Sequence, residues 1–266
     1  MRFAFPPYSA DAIFVEGRGL PALHPRAGRP CPYGNAPARY TMDDKPKASD
    51  RFRGEIEGLK ERLLQMASLA EAALDHSVKA LLTRDPDLAR EVIQGDKAIN
   101  DLEEELDAAC VRIVALYQPV ATDLRQVMAI DHLIVELERL GDLSVNVAEE
   151  VLNLGQLPEA ELHRDLSRMT NMVQSMIRDS LRSFIAEDAH LAREICKQDN
   201  EVDYLDRALI HELLEFMGRS REAVAIGLSQ INVIRNLERA GDHATNIAEQ
   251  VVYMVEGESI RHRCQD

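Results

Sequence analysis

The segment Leu137-Glu138-Arg139-Leu140-Gly141-Asp142 returns one hundred residues later as Leu237-Glu238-Arg239-Ala240-Gly241-Asp242. The match runs on through Asn146/Asn246, Ala148/Ala248, Glu149/Glu249 and Val151/Val251. A weaker echo lies upstream, where Asp96-x-x-Ile99-Asn100-x-Leu102-Glu103 resembles Asp199-x-x-Val202-Asp203-x-Leu205-Asp206. The chain therefore reads as tandem copies of one unit, and whatever fold it adopts must serve both.

From about Asp50 onward, apolar residues recur at three- and four-residue spacing, the period of a helix with one buried face. Leu59, Leu63, Met66, Leu69, Ala73 and Val78 mark the first helix, and Asp85-Pro86 supplies a cap and a restart. The second runs through Val92, Ile99, Leu102, Leu106, Ile113 and Leu116 to the break at Gln118-Pro119, and the third reaches about Leu154. After Gly155–Pro158, three more helices are expected over 159–186, 188–217 and 221–256. The expected architecture is all-α: two tandem, similar three-helix bundles, residues 49–155 and 159–256, with a tail at 257–266.

Residues 1–48 do not share this pattern. They hold eight of the eleven prolines, show no period, and read as a disordered leader. No continuous apolar stretch there makes a signal peptide, and Met42, just before the periodic region, is an alternative start. Residues 1–41 carry a charge of +3, leaving −18 on the remainder of a chain whose total is −15. So acidic a body argues against a nucleic-acid surface, which must neutralise phosphates. Four well-separated cysteines, Cys31, Cys110, Cys196 and Cys264, with no C-x-x-C pair, indicate neither a zinc ribbon nor a disulfide scaffold. These features together suggest a cytoplasmic protein.

At roughly 100° per residue, Glu138, Asp142, Asn146 and Glu149 share one face of the third helix, opposite Leu133, Leu137, Leu140 and Val151. Asp96, Asn100, Glu103 and Asp107 form a matching stripe on the second helix, and Asp199, Asp203 and Asp206 do so on the fifth. Second and third helices of a bundle are antiparallel neighbours, so two acidic stripes could face one another across a groove. Arg139 and Arg239 point roughly 100° away from the glutamates. A hard cation with oxygen ligands suits the i, i+4 carboxylate spacing; a simple solvated acidic face is the alternative. Gly141 and Gly241 project toward the core-side edge, where close helix packing explains a residue that costs about 1 kcal/mol relative to Ala.

The two Glu-Arg-x-Gly-Asp motifs, each with an Asn four residues on, resemble the phosphate-uptake regulator family PhoU. So does Gln118-Pro119-Val120-Ala121-Thr122-Asp123-Leu124-Arg125, and the resemblance spans about residues 48–256. It implies metal sites on the bundle surfaces. The implied ligands are Asp96, Glu138 and Asp142 in the first half, and Asp199, Asp203, Glu238 and Asp242 in the second, with Asn100 standing where the second copy has Asp203. Iron, manganese, magnesium or zinc are the metals considered. The resemblance further implies a homodimer and a negative regulator of the phosphate-starvation response. Such a protein sits between the ATPase subunit of a phosphate ABC importer and a sensor histidine kinase, meeting the membrane only through those partners. The second half has Gly218-Arg219-Ser220-Arg221 in place of the Gln-Pro turn, so that turn's role is not carried over.

No P-loop, G-x-G-x-x-G or nucleophile–base signature is present, and an enzyme is not expected. The competing classes are a di-metal, ferritin-like oxidase and a metal-free helical scaffold. The former requires two inward E-x-x-H motifs, and the chain has one, Glu187-Asp188-Ala189-His190, at an expected turn.

Overall fold

The structure, a computed structural model, describes residues 48–157 and 161–260. The leader, Met42, Cys31 and Cys264 lie outside the described residues. Six helices follow in order: α1 Ala48–Thr83, α2 Pro86–Tyr117, α3 Ala121–Leu154, α4 Leu166–Ala186, α5 Ala189–Met217 and α6 Arg221–Glu256. Among the described residues there is no strand.

Short polar residues set the boundaries. Asp85 caps α2, its Oδ1 accepting from the N–H groups of Asp87 at 3.0 Å and Leu88 at 3.1 Å, with Pro86 in the first turn. Asp188 caps α5 in the same manner, and the Ser220 hydroxyl accepts from the Ala223 N–H at the start of α6. Gln118 turns left-handed at φ 46° and closes α2, so the Gln-Pro break falls where expected and α3 begins at Ala121. The expected start of α4 at residue 159 is corrected to Leu166. The residues before it are held against α6 instead: Gln230 accepts from the His163 N–H at 2.8 Å and donates to the Glu161 carbonyl at 3.3 Å.

Each half is a three-helix bundle whose apolar stripes meet inside. Leu63, Met66, Ile99, Leu106, Leu133, Leu137 and Leu140 are buried in the first, and Met169, Met176, Val202, Leu205, Val233 and Leu237 in the second. Burial of each large side chain contributes about 1.5–3 kcal/mol. Cys110 and Cys196 sit in these cores, and burial pushes the Cys110 thiol up to about 12, which makes it inert.

The two bundles join along α3 and α6, with a smaller contact between α1 and α4, in one packed unit. The α3–α6 seam carries the repeat as a local pseudo-two-fold. Asn146 donates to Asn236 Oδ1 at 3.2 Å, and its repeat mate Asn246 donates to Glu136 Oε2 at 3.0 Å. Glu136 and Asn236 are themselves matched positions. At the far end, Gly257 caps α6 at φ 77°, and a Cβ there would stand 3.5 Å from the guanidinium carbon of Arg125. A side chain at this left-handed position would be strained.

Candidate metal-binding grooves

Antiparallel pairing of α2 with α3, and of α5 with α6, sets the acidic stripes opposite one another. In the first groove Asp96 faces Asp142, and Glu138 feels Asp142, Glu103 and Asp96. Burial first, and these neighbouring charges second, hold the Asp96 and Glu138 carboxyls above the ordinary carboxylate range. Asn100 donates to Asp96 Oδ2 at 2.9 Å and partly offsets the effect.

The second groove has a carboxylate, Asp203, where the first has the amide of Asn100. Burial, then Asp242, Asp206 and Asp203, push Glu238 up to about 7. Burial, then Asp242 and Asp203, push Asp199 up to about 6. Asp242 is raised as well, chiefly by loss of water and by Asp203. Deeper in the groove, Asp206 has a side chain only 4% exposed and is held by Arg235, whose Nη1 lies 3.0 Å from its Oδ2.

Every residue implied as a ligand therefore lines one of the two grooves, in two sets of four. Asp96, Asn100, Glu138 and Asp142 share the first; Asp199, Asp203, Glu238 and Asp242 share the second. Three details differ from the sequence reading. The stripes are not open ridges: Glu138 is 21% exposed at the side chain. Arg139 does not point away, because its long side chain folds back, with Nε 3.3 Å from Glu138 Oε2 and Nη1 3.3 Å from Asp142 Oδ2. Asn146 and Asn246 leave the acidic faces for the interbundle seam, since α3 and α6 each use one flank for the groove and the other for the partner bundle.

Gly141 has a role beyond packing. A Cβ there would stand 3.0 Å from Asp96 Oδ1 and 3.0 Å from Ile99 Cδ1, so the missing side chain is the space that the Asp96 carboxylate occupies. At Gly241 the same construction leaves 3.5 Å to Val202 Cγ1 and 3.8 Å to Asp199 Oδ1, ordinary contact distances.

From the sequence, His243 reads as an isolated histidine flanking the acidic stripe and not a ligand, and Glu136 has no assigned role; the structure brings the two together in the seam. The Glu136 carboxylate lies 2.6 Å from His243 Nδ1 while also accepting from Asn246. The available signal was a break in the repeat, since Glu136 aligns with Asn236 and His243 with Leu143. Asp206 was assigned to a stripe but not to a site, because spacing alone does not reveal which acid is buried. The lone E-x-x-H serves capping instead: Glu187 is the left-handed cap of α4, and His190 opens α5.

Among the described residues, no three His, Cys, Asp or Glu side chains converge closely enough to hold a metal ion as they stand. The chemistry of the donor set nonetheless fits a hard cation. It is all oxygen, clustered like charges raise one another's pKa, and Asp96 Oδ1, Asn100 Oδ1 and Asp206 Oδ1 are buried acceptor atoms with no hydrogen-bond partner. The glycine cradle at Gly141 leads the first of these atoms into the groove.

Such a molecule is a tandem helical-bundle protein with an acidic groove in each repeat. The PhoU domain matches it over residues 63–151 and again over 166–251, one match per bundle. It is 36% identical over 217 residues to the phosphate-specific transport system accessory protein PhoU homolog of Pseudomonas putida, covering 80% of this chain and 84% of that protein. It is 33% identical over 214 residues to the phosphate-specific transport system accessory protein PhoU of Escherichia coli (strain K12), covering 80% of this chain and 89% of that one. The crystal structure of PhoU from Pseudomonas aeruginosa matches with a TM-score of 0.76 at 36% identity, covering 78% of this chain and 100% of that one. The phosphate transport system regulatory protein PhoU from Streptococcus pneumoniae matches with a TM-score of 0.72 at 31% identity, over 78% of this chain and 98% of the other. The chain belongs to the PhoU family.

Proposed function

We propose that this protein is a negative regulator of phosphate uptake and of the phosphate-starvation response. It acts as a non-catalytic adaptor in the cytoplasm between the ATPase subunit of a phosphate importer and a sensor histidine kinase, as a homodimer. The names of its relatives, accessory and regulatory proteins of phosphate transport, support the phosphate connection. Among the described residues no helix is long and apolar enough to cross a membrane, in keeping with attachment through partners. The observation that carries the adaptor reading is the pair of acidic grooves in matched places on two bundles, on a chain with no sequence signature of catalysis. A bound cation such as iron, manganese, magnesium or zinc would supply positive charge that lets opposed carboxylates ionise side by side. Asp96, Asn100, Glu138 and Asp142 would hold it in the first groove, and Asp199, Asp203, Glu238 and Asp242 in the second. These residues then fix the spacing of α2 against α3 and of α5 against α6, presenting a set helix surface to a partner.

Deleting the gene and assaying alkaline phosphatase at high phosphate tests the regulator reading: derepression is expected, and normal repression would contradict it. Elemental analysis of the Glu238→Ala, Asp242→Ala protein tests the metal reading, with reduced bound metal expected and unchanged metal counting against it.

A further inference from the structure

The two grooves are built on the same plan until the level of Asp206, where they part. Asp206 corresponds in the repeat to Glu103, and Arg235 to Val135. Arg235 reaches Asp206 from α6, its Nη1 3.0 Å from Asp206 Oδ2, while Asp206 Oδ1 remains buried and without a partner. Val135 is 48% exposed and brings no charge to the first groove. One turn beyond, the first groove continues with Asp107 and Asp131, close enough for their charges to couple. The second continues with Ile210 and Ile231, both packed against the core. The acidic row of the first half thus runs on, and that of the second ends at a guanidinium.

Resting on the metal reading above, we infer that Arg235 is a resident counter-ion that closes the Asp206 end of the α5–α6 groove and limits how much cation that groove takes. Coulomb attraction makes the argument. Asp206 is too buried to stay charged without a positive partner, and a guanidinium and a metal ion compete for the same carboxylate. Arg235 can be displaced: its side chain is 56% exposed, so once a metal ion takes its place on Asp206 the guanidinium turns to solvent at small cost. It is a capacity-setting residue and not a ligand, because a guanidinium has no lone pair to offer a metal. The first groove has no cation at the matched place, where Val135 stands; its own guanidinium, Arg139, lies instead against Glu138 and Asp142.

The test uses the full chain stripped with chelator and titrated with Mn²⁺, free metal being read by its paramagnetic resonance signal. In the samples that read the second groove, Glu138→Ala with Asp142→Ala silences the first. Arg235→Met keeps the length and apolar stem of the side chain and should bind Mn²⁺ about tenfold tighter than the parent, or take one more ion per chain. Adding Asp206→Asn to Arg235→Met should remove that gain, which separates competition for Asp206 from a general change in charge. Conversely, Val135→Arg, with the second groove silenced by Glu238→Ala and Asp242→Ala, should weaken binding to the first. Binding by the parent that Arg235→Met leaves unchanged would overturn the inference while leaving the metal reading intact. No Mn²⁺ binding by the unmodified chain would overturn both. Circular dichroism confirms that each variant is folded; Val135→Arg places its change on an exposed position and serves if Arg235→Met is not.

Discussion

The groove between α2 and α3 and the groove between α5 and α6 use matching helices and matching motifs, yet they manage negative charge differently. The first has an amide, Asn100, where the second has Asp203, and that amide donates to Asp96. The second keeps the extra carboxylate, reaches the higher pKa values at Glu238 and Asp199, and brings in Arg235 to hold its most buried acid. A duplicated unit is thus free to vary how the charge is balanced so long as the helix spacing is kept. The glycines repeat the lesson on a smaller scale. Gly141 is required by a carboxylate that leans across to α3, while Gly241 has room to spare.

The comparison is most exposed to attack at its largest difference. Arg235→Met strips Asp206 of the guanidinium that pairs with it and should destabilise the metal-free protein by about 2 kcal/mol, less than a fully buried pair because the arginine is more than half exposed. Val135→Met at the matched place should stay within about 0.5 kcal/mol. Urea denaturation of both variants decides it, and equal losses would mean that the Arg235–Asp206 pair carries no special weight.

A change of sign separates the glycines. Gly241→Ala meets only ordinary contacts, so it should stabilise by up to about 1 kcal/mol through better helix propensity. Gly141→Ala presses on Asp96 and Ile99 and should destabilise by about 1–2 kcal/mol. Thermal unfolding of the pair reads this directly; a gain in both would show that Asp96 has space to withdraw.

The mildest difference lies in pH dependence. Glu238 and Asp199 have folded pKa values of about 7 and about 6, above those of the unfolded chain. The folded state therefore holds protons that the unfolded state has released, and stability falls as pH rises from about 4 to about 7, then levels off. In chelator-treated protein Glu238→Gln should flatten that decline more than Glu138→Gln does. Identical pH profiles for the two variants would erase the distinction between the grooves.

Most of the helical layout was legible because a helix's period is a local property. Asp85-Pro86, Gln118-Pro119 and Gly218–Ser220 mark their breaks with residues whose backbone chemistry forces them. The start of α4 was not legible, since Glu161–Asp165 are diverted from helix by Gln230, a residue far along the chain. The groove members could be read from a 100° turn per residue, but not the fold-back of Arg139, whose flexible stem lets the guanidinium find carboxylates the helical wheel places out of reach.

What the sequence by itself determined is the repeat, the helix faces and the identity of the opposed acids, because each depends on neighbours within a few residues. Only the tertiary structure decided which of those acids lose water, that Asn146 and Asn246 serve the interbundle seam, and that Arg235 of α6 reaches the buried Asp206. Desolvation and long-range charge depend on what the rest of the chain brings alongside, and that is settled only when the bundles pack.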